Sequence, residues 1–327
     1  MPAPLRIFAL AASKELGGAV ARVLGQTLAV HEEREFEDGE HKTRPLDVVV
    51  GADVYVVYSL HGAPQQSAND KLARLLFFIG ALKDTGAARV TAVVPYLCYA
   101  RKDRRTKPND PVITRYVAQM FESVGTDCIV TLEVHNPTAF ENAFRRRTVA
   151  LTGTPLFVDY VKQNLADDKL AVISPDAGGT KRAELLRETL ESTLGRPVGK
   201  GLAEKHRSSG VVSGDLFVGD VAGTTALIVD DLISTGGTLL RTARSARAAG
   251  AKRVIALVTH GLFMHGSAEV IADPALERIV ITDTVPPFRL DHPAQNKKLV
   301  ILPAAPLLAE AIRRLHEERS LTDLMVF

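Results

Sequence analysis

Two adjacent carboxylates precede a glycine-rich turn in the stretch 229–238, Val-Asp-Asp-Leu-Ile-Ser-Thr-Gly-Gly-Thr. Asp230 and Asp231 can accept hydrogen bonds from a vicinal diol. The turn that follows offers backbone N–H groups, hydroxyls and a helix N-terminus, all of which suit a phosphate. Ligands of open α/β sheets bind beyond the carboxyl ends of strands. The stretch therefore predicts a site for a phosphorylated sugar. The alternative is an acidic strand end and a capped helix without a ligand.

A dense cluster of positive charge follows another apolar run. Five cations occupy the seven positions from Arg101 to Lys107. A polyphosphate needs such a cluster, because its charge must be neutralised and held in place. A solvated basic loop and a nucleic-acid patch are the alternatives. The cluster follows the strand that ends near Pro95, and this position favours a nucleoside triphosphate.

Three further groups could act at the same kind of site. His135 ends the apolar run 129–134, and Asp176 follows the run that ends at Ile173, among glycines that allow close approach of a substrate. Lys205 and Arg207 lie in the segment 199–215, whose few apolar anchors predict a loop. A structural histidine and a solvent-exposed basic loop are the alternatives here.

Alternating strands and helices must position these groups. Compact β-branched runs predict strands at 54–58, 89–94, 129–134, 170–173, 226–229 and 254–259. Apolar residues at helical spacing predict helices over 72–82 and 113–124, and others starting near Thr180 and Gly237. This alternation predicts βαβ units, mostly parallel sheets and an α/β fold.

Length and composition limit the class of protein. The 327 residues suggest two domains, divided near Gly153 into residues 1–152 and 153–327. A net charge of +2 argues against a nucleic-acid partner, and no apolar stretch is long enough for a membrane span. Only two cysteines, Cys98 and Cys128, and an N-terminus without signal-peptide character predict a reduced, cytoplasmic protein. A P-loop kinase is excluded, because Gly-x-x-x-x-Gly-Lys-Ser/Thr does not occur.

The stretch 229–238 resembles the phosphoribosyl-binding motif of type I phosphoribosyltransferases and of ribose-phosphate pyrophosphokinases, also called phosphoribosyl pyrophosphate synthetases. Four more stretches resemble the second family and occur in its order, namely 99–105, 131–135, 174–179 and 307–313. The resemblance covers nearly the whole chain from Phe36 onward. It implies two tandem type I phosphoribosyltransferase-like domains, each with a mostly parallel sheet flanked by helices. The N-terminal domain would carry the ATP-binding loops and the C-terminal domain the ribose 5-phosphate site.

The resemblance also implies an activity: the pyrophosphate group of ATP passes to the 1-hydroxyl of ribose 5-phosphate, with Mg²⁺ as cofactor. The implied ribose 5-phosphate site consists of Asp230, Asp231, Ser234, Thr235, Gly236, Gly237 and Thr238. The implied ATP site consists of Arg101, Lys102, Asp103 and His135, together with Phe36, Asp38 and Glu40 from a loop that covers the adenine in a neighbouring subunit. His135 and Asp176 would be the Mg²⁺ pair, and Lys205 and Arg207 the catalytic cations.

The shared adenine site implies a homo-oligomer based on dimers, with a hexamer as one size it could reach. Two other functions stay open: a phosphoribosyltransferase, and a non-catalytic regulatory subunit of such an enzyme.

Regulated members of the family have an anion site at which ADP inhibits and phosphate activates. At the corresponding positions this chain has Val50, Pro108 and Asn109 in place of cations and hydroxyls, and only Ser320 and Thr322 keep hydroxyls. Lys102 stands where the family commonly has Gln, and Ser234 where regulated members usually have Asp.

Overall fold

A computed structural model describes residues 3–208, 211–290 and 297–325, with the side chains of 204–216 outside the description. The chain divides into two compact units. The first consists of residues 3–152 and 304–325, and the second of the described part of 153–303. The change between units falls at Gly153. Residues after Pro303 belong to the first unit, which differs from the predicted assignment of 153–327 to one domain.

The first unit contains a five-stranded parallel sheet in the order β1-β4-β5-β6-β7. Its central strands are buried on both faces, which explains their continuous apolar runs. The strands are β1 Leu5–Ala9, β4 Asp53–Val57, β5 Arg89–Val93, β6 Cys128–Leu132 and β7 Arg147–Leu151. The helices of this unit are α1 Lys14–Val23, α2 Ala68–Asp84, α3 Ile113–Ser123, α4 Pro137–Ala143 and α9 Ala305–His316. Ser67 caps α2 in a reciprocal capping box with Asp70.

An antiparallel ribbon, β2 His31–Glu35 and β3 His41–Pro45, follows α1 in the chain. Its residues are mostly polar, and the sequence patterns do not predict it. One ion pair and one hydrogen bond, each made by a carboxylate of β2, hold it in place. The Glu35 carboxylate lies 2.5 Å from the Arg74 guanidinium of α2, and Glu33 accepts from the backbone N–H of Ala11 at 2.6 Å.

Helix α9 joins the first sheet through a buried carboxylate. Asp53, 3% exposed, accepts from Arg89 Nε at 2.7 Å and lies 2.7 Å from His316 Nδ1. Arg89 also donates to the Leu315 carbonyl at 3.0 Å. The residues after Pro303 are therefore part of the first unit's core.

The second unit contains a seven-stranded sheet in the order β10-β9-β8-β11-β12-β13-β14. Its strands are β8 Leu170–Ser174, β9 Gly199–Ser208, β10 Val211–Gly219, β11 Thr225–Ile233, β12 Arg253–Gly261, β13 Arg278–Thr282 and β14 Leu299–Leu302. The described helices are α5 Thr154–Asn164, α6 Thr180–Leu194, α7 Gly237–Ala248 and α8 Ser267–Ala272. Neighbouring strands pair in parallel except β10, which is antiparallel to β9. The predicted α/β class with mostly parallel sheets is confirmed.

The prediction of a loop at 199–215 is wrong. Its described residues, 199–208 and 211–215, form β9 and the first half of β10, which pair antiparallel with a register shift between Val212 and Asp215. Pairing with β8 on one side and β10 on the other stabilises a segment that lacks the apolar pattern of the central strands.

Candidate functional site

The strand order of the second unit reverses between β8 and β11. From β8 the chain crosses through α6 to β9 on one side, and from β11 it crosses through α7 to β12 on the other. Such a reversal opens a crevice at the carboxyl ends of the two strands, where open α/β sheets bind their ligands. The turn that carries Asp176 follows β8, and the acidic pair lies on β11. Two motifs that are about 55 residues apart in the sequence therefore flank one crevice.

The acidic pair lies within β11 rather than at its end. β11 continues to Ile233, but its pairing with β8 stops at Ile228, opposite Ile173. Asp230 and Asp231 are thus on the part of the strand that extends past its neighbour. The Asp231 backbone N–H donates to Asp230 Oδ1 at 2.9 Å. The Asp231 side chain is 6% exposed and that of Asp230 is 26% exposed.

One guanidinium faces both carboxylates. Arg182, in the first turn of α6, has its Nη1 atom 3.6 Å from Asp230 Oδ1 and 3.9 Å from Asp231 Oδ1. Burial raises the pKa of Asp230 well above its usual range, and the adjacent Asp231 carboxylate raises it further, whereas Arg182 lowers it. Arg182 therefore opposes the effects of burial and of Asp231 on the pKa of Asp230 without cancelling them.

The predicted phosphate turn joins β11 to α7. The Ser234 carbonyl accepts from the Met264 N–H at 2.9 Å, which fixes the start of the turn. Gly236 is the N-cap of α7 with φ 80°, and its carbonyl accepts from the Leu240 N–H at 2.9 Å. The N–H groups of the first helical turn have no partner within a helix, so they are suited to an anion. Thr238 Oγ1 accepts from Arg241 at 3.2 Å, which brings a cation to the same turn.

Gly236→Ala is expected to destabilise the protein more than a left-handed backbone alone would. The alanine Cβ would lie 2.8 Å from Val270 Cγ1 in α8. The substitution would also place an L residue at φ 80°. The backbone strain costs about 1–3 kcal/mol, and displacement of α8 adds to it. Thermal unfolding would measure the effect.

Gly266→Ala is the matched control for this prediction. Gly266 has φ 90°, but a Cβ there meets nothing within 4 Å. Gly266→Ala therefore introduces the backbone strain without the clash. Equal losses of Tm in the two variants would contradict the prediction.

The turn after β8 holds Asp176 at the solvent-facing side of the crevice. The side chain is exposed, and its Oδ1 accepts from the Gly179 N–H at 3.0 Å. The Ser174 hydroxyl donates to the Asp176 carbonyl at 2.6 Å and fixes the backbone of the turn. A Cβ at Gly179 would come within 2.9 Å of that hydroxyl, so a larger residue there would displace the Ser174 side chain.

Lys205 and Arg207 lie on β9, and their side chains are outside the described residues. The pairing of β9 with β8 ends at Leu202, opposite Ser174. At ~3.3 Å per residue, the backbones of Lys205 and Arg207 extend about 10 and 17 Å beyond that last pair. The hairpin thus projects past the edge of the sheet from which the Asp176 turn begins.

In the first unit, the basic loop and His135 follow neighbouring strands, β5 and β6. Asn136 donates to Asp103 Oδ2 at 2.6 Å, which brings the two segments together. Strand β6 ends at Leu132, earlier than predicted, so His135 lies three residues beyond it in an exposed position. Arg101 and Lys102 are also exposed.

Asp110 organises the end of the basic loop. Its Oδ2 accepts from the N–H groups of Thr106 and Lys107 and from the Thr106 hydroxyl, at 2.8–3.1 Å. The hydrogen bonds from Thr106 lower the pKa of the Asp110 carboxyl. The loop therefore has a defined shape that composition alone does not indicate.

The predicted adenine-binding residues form the tip of the β2–β3 ribbon. Phe36 is 37% exposed, and the Arg34 guanidinium lies 4.9 Å from its ring centroid, a cation–π contact. Asp38 Oδ1 accepts from the Glu40 N–H at 3.1 Å, and both side chains are exposed. The tip thus presents an aromatic ring and two acids.

The residues present fit a metal only in a site that substrate completes. Among the described residues, no three His, Cys, Asp or Glu side chains come together as a metal site. Asp176 supplies the carboxylate oxygen that Mg²⁺ prefers, whereas imidazole is an unusual ligand for it. Phosphate oxygens and water would have to supply the remaining positions.

Sequence patterns miss three residues of these sites: Arg182, Arg74 and Asp110. Their contacts depend on where a long side chain or a loop carboxylate reaches in three dimensions. The position of Arg182 just after a Gly-Gly turn at a strand end is the only sequence signal, and it is weak.

Comparison with known proteins identifies the family. One family model, the N-terminal domain of ribose phosphate pyrophosphokinase, matches residues 5–125, and a second, the phosphoribosyl synthetase-associated domain, matches 213–326. A ribose-phosphate pyrophosphokinase from Hyphomonas neptunium is 35% identical over 98% of this chain and 99% of its own length. The chain belongs to the ribose-phosphate pyrophosphokinase family. A relative with the same name from Aquifex aeolicus is 34% identical over 98% of both chains.

A solved structure supports the same assignment. The phosphoribosylpyrophosphate synthetase of Mycobacterium smegmatis matches with a TM-score of 0.84 and 32% identity, over 96% of this chain and 99% of that one. The predicted family membership is thereby confirmed. In the described part of the chain, no helix is long and apolar enough to cross a membrane.

Proposed function

We propose that this chain is a ribose-phosphate diphosphokinase, a transferase that makes phosphoribosyl pyrophosphate and AMP from ATP and ribose 5-phosphate. The observation that carries the proposal is the crevice between β8 and β11. Its acidic pair suits the ribose diol, and the helix N-terminus that follows suits the 5-phosphate. Full-length similarity to pyrophosphokinases supports the choice of ATP as the second substrate.

Each group has a distinct part in the proposed reaction. Asp230 and Asp231 accept from the ribose hydroxyls, while the turn of Ser234, Thr235, Gly236, Gly237 and Thr238 holds the 5-phosphate. The ribose 1-hydroxyl oxygen forms a bond to the β-phosphorus of ATP. The bond from that phosphorus to the oxygen bridging the α-phosphate breaks, AMP leaves, and the hydroxyl proton is released. Lys205 and Arg207 neutralise charge on the transferring group.

The first unit would bind the nucleotide. Arg101 and Lys102 would neutralise phosphate charge, and Phe36, Asp38 and Glu40 would contact the adenine in another subunit of a dimer-based homo-oligomer. His135 and Asp176 would hold Mg²⁺ together with phosphate oxygens. When bound, the metal neutralises phosphate charge and acidifies the attacking hydroxyl. A cytoplasmic location is part of the same proposal. Both cysteines are buried, and burial raises the pKa of each thiol to about 12, so neither is a thiolate near neutral pH.

The decisive experiment is incubation with ATP, Mg²⁺ and ribose 5-phosphate. Formation of AMP and phosphoribosyl pyrophosphate in equal amounts is expected. Formation of ADP would indicate an ordinary kinase, and absence of turnover would favour a non-catalytic regulatory subunit. A phosphoribosyltransferase would instead consume added phosphoribosyl pyrophosphate with a nucleobase.

ADP is expected to inhibit this enzyme by simple competition with ATP, with at most a modest dependence on phosphate. The position where regulated relatives place an arginine is Val50, which is 68% exposed. Ser320 and Thr322 keep hydroxyls, which bond to each other at 2.9 Å. Without guanidinium groups, a second anion site loses its charged, bidentate donors.

Initial rates over a matrix of ADP, ATP and phosphate would check this expectation. Lineweaver–Burk lines that meet on the rate axis support it. Sigmoidal ADP inhibition that persists at saturating ATP contradicts it.

A further inference from the structure

Arg182 lies across the crevice from β11. It belongs to α6, the helix that follows the Asp176 turn, and its side chain is only 13% exposed. Its Nη1 atom lies 3.6 Å from Asp230 and 3.9 Å from Asp231. The same atom would be 3.7 Å from a Cβ placed on Gly179. One guanidinium thus adjoins both segments that flank the crevice.

We propose that Arg182 is a positioning residue for ribose 5-phosphate, which orients Asp230 and Asp231 and favours their ionised forms so that both accept from the ribose diol. The proposal rests on the proposed function of this crevice. A protonated carboxyl loses acceptor capacity, so binding of the diol requires the ionised pair. Two adjacent, largely buried carboxylates repel each other and favour uptake of a proton. A cation 3.6–3.9 Å from both opposes that uptake.

Among the side chains that the structure describes, three titratable or charged groups on neighbouring elements have partners of their own. From β12, His260 pairs in register with Leu232, and its ring is bonded to Thr284. From α7, Arg241 donates to Thr238. From the turn after β8, Asp176 accepts from the Gly179 N–H and is exposed. Arg182 is the cation that lowers the pKa of Asp230 against burial and the Asp231 charge.

Arg182→Gln keeps much of the side-chain length but removes the charge. The pKa of the acidic pair should then rise, and the pair should take up its proton at a higher pH. In the pH profile of kcat/KM for ribose 5-phosphate, activity falls on the acid side as the pair takes up a proton. We expect this acid limb of the profile to move to higher pH by about one to two units, the usual effect of losing one nearby opposite charge. At a pH on that limb, KM for ribose 5-phosphate should rise about tenfold or more, while KM for ATP stays within about twofold of its original value.

Two other variants complete the test. Arg182→Lys restores a cation and should return the limb most of the way toward the wild-type pH. Arg187→Gln, on the same helix, removes a guanidinium that pairs with Glu184 and Glu191 instead of the acidic pair. It should leave the limb in place.

Calorimetric titration of ribose 5-phosphate into each variant across pH, without ATP, separates this proposal from the proposed reaction. A wild-type protein that binds ribose 5-phosphate but makes no AMP would reject the reaction and still test Arg182. If Arg182→Gln does not fold, Arg182→Lys decides: a limb moved by more than two pH units despite the retained charge overturns the proposal. An unmoved limb in folded Arg182→Gln, or equal changes in both KM values, overturns it as well.

Discussion

Lys205→Ala is expected to lower kcat by a factor of ~10²–10³, with much smaller changes in the KM for ATP and for ribose 5-phosphate. The backbone of Lys205 lies on the part of β9 that extends beyond β8, past the edge that carries the Asp176 turn. A cation brought to the transferring group acts on charge that develops in the transition state. Its loss therefore affects turnover more than binding of either substrate.

Arg207→Ala should show a similar loss of kcat, and the double variant should lose less than the product of the two single effects. Groups that act on one transition-state charge are not independent. Steady-state kinetics with both substrates varied would measure these losses. Lys200→Ala is a suitable control, because Lys200 lies on the paired part of β9 and contacts Glu184 at 3.0 Å. Near-normal kcat in both Lys205→Ala and Arg207→Ala would contradict the assignment of this hairpin.

Mixing two weakly active variants, Phe36→Ala and Asp231→Ala, should restore activity. If the adenine tip of one subunit completes the ribose site of another, a hybrid dimer has one site with both changes and one intact site. Random pairing makes half of the dimers hybrids, so activity should reach about a quarter of the wild-type value. The subunits would be mixed under exchange conditions, and hybrid formation followed by native mass spectrometry.

The control for complementation is a mixture of Lys205→Ala with Asp231→Ala. Both residues would come from the same subunit of a site, so every site in a hybrid dimer carries one change and stays weak. Restoration in this mixture, or none in the Phe36→Ala mixture despite confirmed exchange, would mean that each chain builds its site alone.

The parts of the fold that sequence predicts are those with local causes. A buried strand, a turn that requires glycine and a helix start are contiguous in the stretch 229–238, so the pattern indicates both the elements and their chemistry. The capping box of Ser67 and Asp70 is equally local. Parallel strands are apolar throughout because both faces are covered.

The parts that sequence does not predict have distant partners. The β9–β10 hairpin is polar at 204–208 and becomes a strand through pairing with its neighbours. The β2–β3 ribbon depends on Glu35 meeting Arg74, 39 positions later. The acidic pair is evident from the sequence, yet the guanidinium that faces it belongs to Arg182, which precedes Asp230 by 48 residues. No periodicity records such contacts.

The contact between His316 and Asp53 has a consequence for how the protein is made. These residues are 263 positions apart, and the second unit is synthesised between them. On the ribosome, the second unit can finish folding while the first still lacks α9, which leaves the Asp53 carboxylate and its sheet without their last partners. The first unit can therefore complete this buried contact only after α9 has been synthesised.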